Sequence, residues 1–129
     1  MHSLKHLFLA LGGALVLAIF VAGCAPARAP QPNASAEGKP MFIEFYAPWC
    51  GSCQSMKPVI AKLREEFGAQ VQFVSYNIDD PASAAAKTKY RFLGQPQYVF
   101  VNAKGEVVAT RNGVFPYERL RADLEALLR

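Results

Sequence analysis

The thirteen residues MFIEFYAPWCGSC at positions 41–53 limit what this chain can fold into more than any other feature. Residues 41–47 form a nearly continuous apolar run rich in aromatics, which reads as a strand buried on both faces and therefore central in a sheet. From Gly51 to Phe67 the apolar positions Cys53, Met56, Ile60, Leu63 and Phe67 step by three and four. Lys57, Lys62, Arg64 and Glu65 face away from that stripe, and Gly68 follows as a stop. A central strand thus runs into an amphipathic helix, which Pro58 is expected to kink.

The remainder continues the pattern. Residues 71–78 alternate enough for a second strand, and residues 81–90, rich in Ala and Lys, read as a short helix. Residues 97–102 and 106–111 are β-rich runs joined by Ala103-Lys104-Gly105, the signal of an antiparallel hairpin. Pro116 opens a last helix whose buried stripe is Tyr117, Leu120, Leu124 and Leu127. The order is β-α-β-α-β-β-α. A right-handed crossover makes the first two strands parallel, and the hairpin extends the same sheet antiparallel. The fold class is α/β, with helices on both faces of a mixed sheet.

The N-terminal third has a different character. Residues 7–22 contain no charge and follow a start carrying His2, Lys5 and His6, the pattern of a secretory signal peptide over residues 1–23. Val21-Ala22-Gly23-Cys24 resembles the lipobox of bacterial lipoproteins, which implies cleavage before Cys24 and lipidation of its thiol. Two other readings stay open: an uncleaved transmembrane anchor, for which the segment is short, and a spare thiol at Cys24. Residues 24–40, with Pro26, Pro30, Pro32 and Pro40, read as a semi-extended linker to a domain at residues 41–129. The first two readings place that domain outside the cytoplasm, tethered to a membrane.

The chemistry centres on Trp49-Cys50-Gly51-Ser52-Cys53 at the strand-to-helix junction. Unpaired amide N–H groups and the positive dipole end favour a thiolate at Cys50, whereas Cys53 lies one turn inward on the apolar stripe. Cys50 is then the attacking thiol and Cys53 the resolving one. A zinc site needs four ligands, and residues 41–129 offer two cysteines and no histidine. A purely structural disulfide closing two intervening residues would restrict little of the unfolded chain. No metal and no cofactor is expected. The formal charge of +4 comes from 14 Lys and Arg interleaved with 10 Asp and Glu, so no basic stripe marks a nucleic-acid surface.

Over residues 41–129 the chain resembles the thioredoxin superfamily, and residues 44–53 are similar to the active-site stretch of thioredoxins and protein disulfide isomerase domains. Pro58 matches the family's helix proline, Gln95-Pro96 its cis-proline, and Gly105 and Gly113 its hairpin and active-site loop glycines. The resemblance implies a thiol-disulfide oxidoreductase that binds clients through Trp49, Gly51, Ser52, Gln95, Pro96 and Gly113. Glu44 is costly in an apolar strand unless neutral or paired. Burial raises its pKa, and the family gives an acid at this position the task of exchanging a proton with the resolving thiol.

Three departures qualify the resemblance. Ser75 stands where many thioredoxins have a lysine near that acid, Ser52 replaces the usual proline or histidine, and residues 25–40 lack a convincing first strand and helix. The expected sheet therefore has four strands, or five if the linker hides another. The expected protein is a monomeric thiol-disulfide oxidoreductase, a reductant or electron carrier supplied by a membrane thiol reductant and acting on client proteins with disulfides or thiols. A redox-inert interaction module and an oxidant of client thiols are the alternatives.

Overall fold

A computed structural model describes residues 38–129; the apolar segment, Cys24 and most of the linker lie outside the described residues. The elements are β1 (Met41–Tyr46), α1 (Gly51–Phe67), β2 (Gln72–Asn77), a 3-10 turn (Pro81–Ser83), α2 (Ala84–Lys89), β3 (Gln97–Val101), β4 (Val107–Asn112) and α3 (Tyr117–Leu127). The expected order holds throughout. The helix expected over residues 81–90 divides in two: Asp80 caps a 3-10 turn through Ala82 N, and α2 follows from Ala84. The second strand of the hairpin starts one residue later than expected, and the register shifts between Phe100 and Val101 of β3, which leaves Val108 of β4 as the extra residue.

The sheet order is β2-β1-β3-β4, with β1 parallel to β2 and antiparallel to β3, and β3 antiparallel to β4. β1 is central because its side chains are apolar on both faces. Phe42 joins Met56, Ile60, Leu63 and Phe67 of α1 and Leu120 and Leu124 of α3 on one face. Ile43 and Phe45 join Ala86 and Tyr90 around α2 on the other. Full burial of such a side chain contributes about 1.5–3 kcal/mol, so the two-faced run specifies the sheet's centre. α1 runs unbroken through Pro58. Among the described residues the sheet has four strands, and no helix is long and apolar enough to cross a membrane.

α2 ends in a way that matters for the site. Arg91 N–H bonds Thr88 O at 3.3 Å and Phe92 N–H bonds Lys87 O at 2.9 Å, the paired bonds of a Schellman motif. The residue at the left-handed position is Arg91, with φ of 50°, where glycine is preferred. Arg91→Gly is therefore expected to raise stability by about 1 kcal/mol in urea denaturation, the relieved backbone strain exceeding glycine's entropy cost. An unchanged midpoint would show that the local packing of arginine compensates the strain.

Candidate active site

One end of the sheet gathers segments remote in sequence. Phe45 of β1 lies opposite Gln97 of β3, Gln97 opposite Asn112 of β4, and Tyr46 opposite Asn77 of β2. The chain leaving β1 toward Cys50, the turn after β2, the loop entering β3 and the loop leaving β4 consequently share that end.

Cys50 is the N-cap of α1 and is joined to Cys53 by a disulfide, with Cα atoms 5.2 Å apart. Its Sγ accepts a hydrogen bond from the Cys53 amide at 3.2 Å, as the first free donors of a helix predict. The Ser52 hydroxyl lies 3.2 Å from the same sulfur. A disulfide sulfur carries no hydrogen, so Ser52 is the donor there. Cys53 is 2% exposed and Cys50 7%, both packed with Ala47, Tyr46 and Ile78. The resolving cysteine is shielded as expected, while Cys50 is more covered than its place at the helix start suggested.

Both donors on Cys50 favour a thiolate after reduction. Ser52→Ala is expected to raise the Cys50 pKa by about half a unit, since one partly exposed hydrogen bond to the charged sulfur is lost. The pH dependence of alkylation of the reduced protein measures it, and an unmoved midpoint would remove Ser52 from the electrostatics of the site.

The surrounding segments are held by bonds that sequence reasoning missed. Trp49 is 66% exposed, yet its Nε1 donates to Asp79 Oδ2 at 2.7 Å. The Gln95-Pro96 peptide is cis, and Gly113 N–H donates to Pro96 O at 2.8 Å, tying the β4 exit to the β3 entry. Gly113 has φ of 105°, a conformation that a Cβ resists. Gln97, fully buried, accepts from Leu93 N–H at 2.9 Å and from Asn112 Nδ2 at 3.1 Å, and donates to Tyr90 O at 3.3 Å. Asn112 Nδ2 also reaches Gly94 O at 3.0 Å. Two amide side chains, opposite one another in register and bonded to each other, thereby fasten the loop before the cis-proline at three points, Tyr90, Leu93 and Gly94. The only advance signal was a glutamine opening one β-rich run and an asparagine directly after the other.

Glu44 lies one register row deeper, 8% exposed, and its Oε2 accepts from Ser75 Oγ at 3.2 Å. Arg64 Nη2 in turn donates to Ser75 Oγ at 3.3 Å. Burial holds the Glu44 carboxyl above the ordinary 4.5, opposed by the Ser75 hydrogen bond and by the charges of Arg64 and Lys57. Lys57 and Arg64 were expected to face away from the core. Both are exposed, as expected, and they also line, with Glu44, Ile60, Ala61 and Glu65, a cleft of about 450 Å3. The reason is angular: positions 57, 61 and 64 flank the stripe through Ile60 and overhang β1 on the β2 side. The cationic partner that Ser75 cannot supply from β2 is thus supplied by α1. No bond joins Glu44 to Cys53, and among the described residues no group of acidic, histidine or cysteine side chains is arranged to hold a metal ion.

Comparison with known proteins agrees with this geometry. The thioredoxin family model matches residues 31–126. Thiol:disulfide interchange protein TxlA of Synechococcus elongatus is 35% identical over 133 residues, covering 93% of this chain and 70% of its own length. The TxlA homolog of a Synechocystis species is 34% identical over 99 residues, and the chain spans 55% of its length. Thioredoxin of Haemophilus influenzae is 36% identical over 81 residues, which is 63% of this chain and 73% of that protein. The family match runs from the linker into the last helix and leaves almost none of the described fold outside it, so the chain belongs to the thioredoxin family, as a thiol-disulfide oxidoreductase.

Proposed function

We propose that the protein is a membrane-tethered carrier of reducing equivalents that works outside the cytoplasm and reduces disulfides of client proteins. The observation that carries the reductase chemistry is the Cys50 sulfur at the start of α1, with the Cys53 amide and the Ser52 hydroxyl directed at it. In the forward step the Cys50 thiolate attacks one sulfur of a client disulfide and releases the other as a thiolate, leaving a mixed disulfide. Cys53 then gives its proton toward Glu44, attacks the Cys50 sulfur and releases the second client thiolate. Two electrons leave the protein, its own disulfide forms, and the client thiolates take up the two protons.

Clients dock on the end of the sheet that carries Trp49, Gly51, Ser52, Gln95, Pro96 and Gly113. Leu93 at 83% exposed and Val114 at 60%, on the loops on either side of the cis-proline, add apolar surface for a client segment. The short connection from α1 to β2 and the single small helical region between β2 and β3 leave no dimerisation or oxidase insertion, which favours a monomeric carrier. The uncharged residues 7–22 and the Val21-Ala22-Gly23-Cys24 block support export and a lipid tether, with a membrane thiol reductant as electron donor. No metal, flavin or nucleotide enters this mechanism.

Acid quenching of cells followed by thiol alkylation tests the direction. A largely reduced Cys50-Cys53 pair is expected, becoming oxidised when the membrane donor is removed. A pair that stays oxidised with the donor in excess makes the protein an oxidant of its clients. For the tether, Cys24→Ala should release the protein from the membrane fraction; retention of the variant with residues 7–22 still attached would assign anchoring to an uncleaved helix.

A further inference from the structure

Three register positions across the sheet place polar groups on the α1 and α3 face: Ser75 of β2 and Tyr98 of β3 both lie directly opposite Glu44 of β1. Directly opposed residues of neighbouring strands point to the same face, with their Cβ atoms about 4.5–5.5 Å apart in the antiparallel pair. Ser75 uses its hydroxyl on Glu44. Tyr98 is fully buried, its ring stacked on Phe42 at 5.6 Å between centroids, and its hydroxyl has no hydrogen-bond partner. A phenol buried without a partner is destabilising, and phenylalanine would fill the same apolar layer without that penalty. Tyr98 is therefore the register neighbour of the buried Glu44 carboxyl on its face, and its hydroxyl is bonded to nothing.

We propose that Tyr98 is a positioning residue of the redox site: its hydroxyl donates to the Glu44 carboxylate when that group is ionised and holds the acid's proton affinity within reach of the resolving thiol. The inference rests on the acid-base role proposed for Glu44 and adds the group that sets it. In the ionised state Glu44 would then have a donor on each side, Ser75 from β2 and Tyr98 from β3. Electrostatic coupling between the two groups is consistent with the placement: burial first, and the Glu44 charge second, raise the Tyr98 pKa, so the phenol keeps its proton and remains a donor.

The other charged groups around the pair have identified positions. Lys57, Arg64 and Glu65 of α1 line the Glu44 cleft. Arg111 of β4, opposite Tyr98, is engaged in two bonds to Asp123 of α3, at 3.0 and 2.9 Å. Its charge is thereby paired locally, and Tyr98 is left as the donor on that side of Glu44.

The test is Tyr98→Phe in the full chain with glutamate carboxyl carbons labelled, following the Glu44 resonance by NMR against pH, assigned by its loss in Glu44→Gln. Removing a donor to a charged acceptor should raise the Glu44 midpoint by about one unit. Stability against pH supplies a second readout: the substitution should be more destabilising above the Glu44 midpoint than below it, because a bond to the charged carboxylate is stronger than one to the neutral acid. An equal effect on stability at every pH, or a midpoint that does not move in the folded variant, would overturn the proposal and leave Tyr98 a packing residue. The acid-base role itself fails separately, if Glu44→Gln leaves the resolving step unchanged; the midpoint shift would still be readable in that case.

Discussion

Cys50→Ser is expected to lower disulfide reductase activity to the uncatalysed level, a loss of roughly a thousandfold or more, because serine offers no thiolate to open the client disulfide. Cys53→Ser should instead leave the first attack intact and accumulate Cys50-client mixed disulfides, since the second nucleophile is missing. The asymmetry has a structural cause. Cys50 caps α1 and receives the Cys53 amide and the Ser52 hydroxyl, whereas Cys53 lies buried on the stripe with Met56 and Ile60. Insulin reduction with dithiothreitol measures the first effect and non-reducing electrophoresis of the trapped species the second. Equal alkylation rates for the two thiols of the reduced protein, across pH 6 to 9, would remove the basis for separate attacking and resolving roles.

Glu44→Gln carries the second large effect. The amide keeps the shape and can still accept from Ser75, but it cannot take a proton from Cys53, so the resolving step should slow by about a hundredfold near pH 7. The deficit should shrink above about pH 8.5, where an ordinary thiol ionises unaided. Single-turnover kinetics from pH 6 to 9 follow this, and a variant that tracks the parent over the whole range would take Glu44 out of the reaction. The same substitution acts on stability with a defined sign. Burial raises the folded-state Glu44 pKa above 4.5, so the folded protein retains a proton that the unfolded chain has released. Parent stability must then fall as pH rises from about 4.5 through the folded pKa, and level off above it. Glu44→Gln removes that component, and urea denaturation across the window should show the parent losing ground to the variant.

Much of this was readable along the chain because it depends on near neighbours. The apolarity of residues 41–47 on both faces identified a central strand before any partner was known, and β2 and β3 flank it. The spacing of Cys53, Met56, Ile60, Leu63 and Phe67 identified the buried side of α1, all five positions being covered. The cysteine pair identified the redox site, because two thiols separated by one helical turn carry their chemistry wherever the helix sits. Gln95-Pro96 was recognised through resemblance alone, as nothing in its immediate neighbourhood demands a cis peptide.

What the sequence alone determined, then, is the order of elements, the face each helix buries and the two thiols. Tertiary structure decided the setting of those thiols. Lys57 and Arg64 read as solvent-facing, and they are exposed, but a helix pattern does not say which polar flank borders a buried acid; the packing of α1 on the sheet put them at the Glu44 cleft. The clamp of Gln97 and Asn112 on the cis-proline loop, the Trp49 bond to Asp79, and Tyr98 opposite Glu44 all depend on strand register. Register is set by the packing of side chains on both faces of the whole sheet, a condition satisfied collectively by residues remote from one another and visible in no local window.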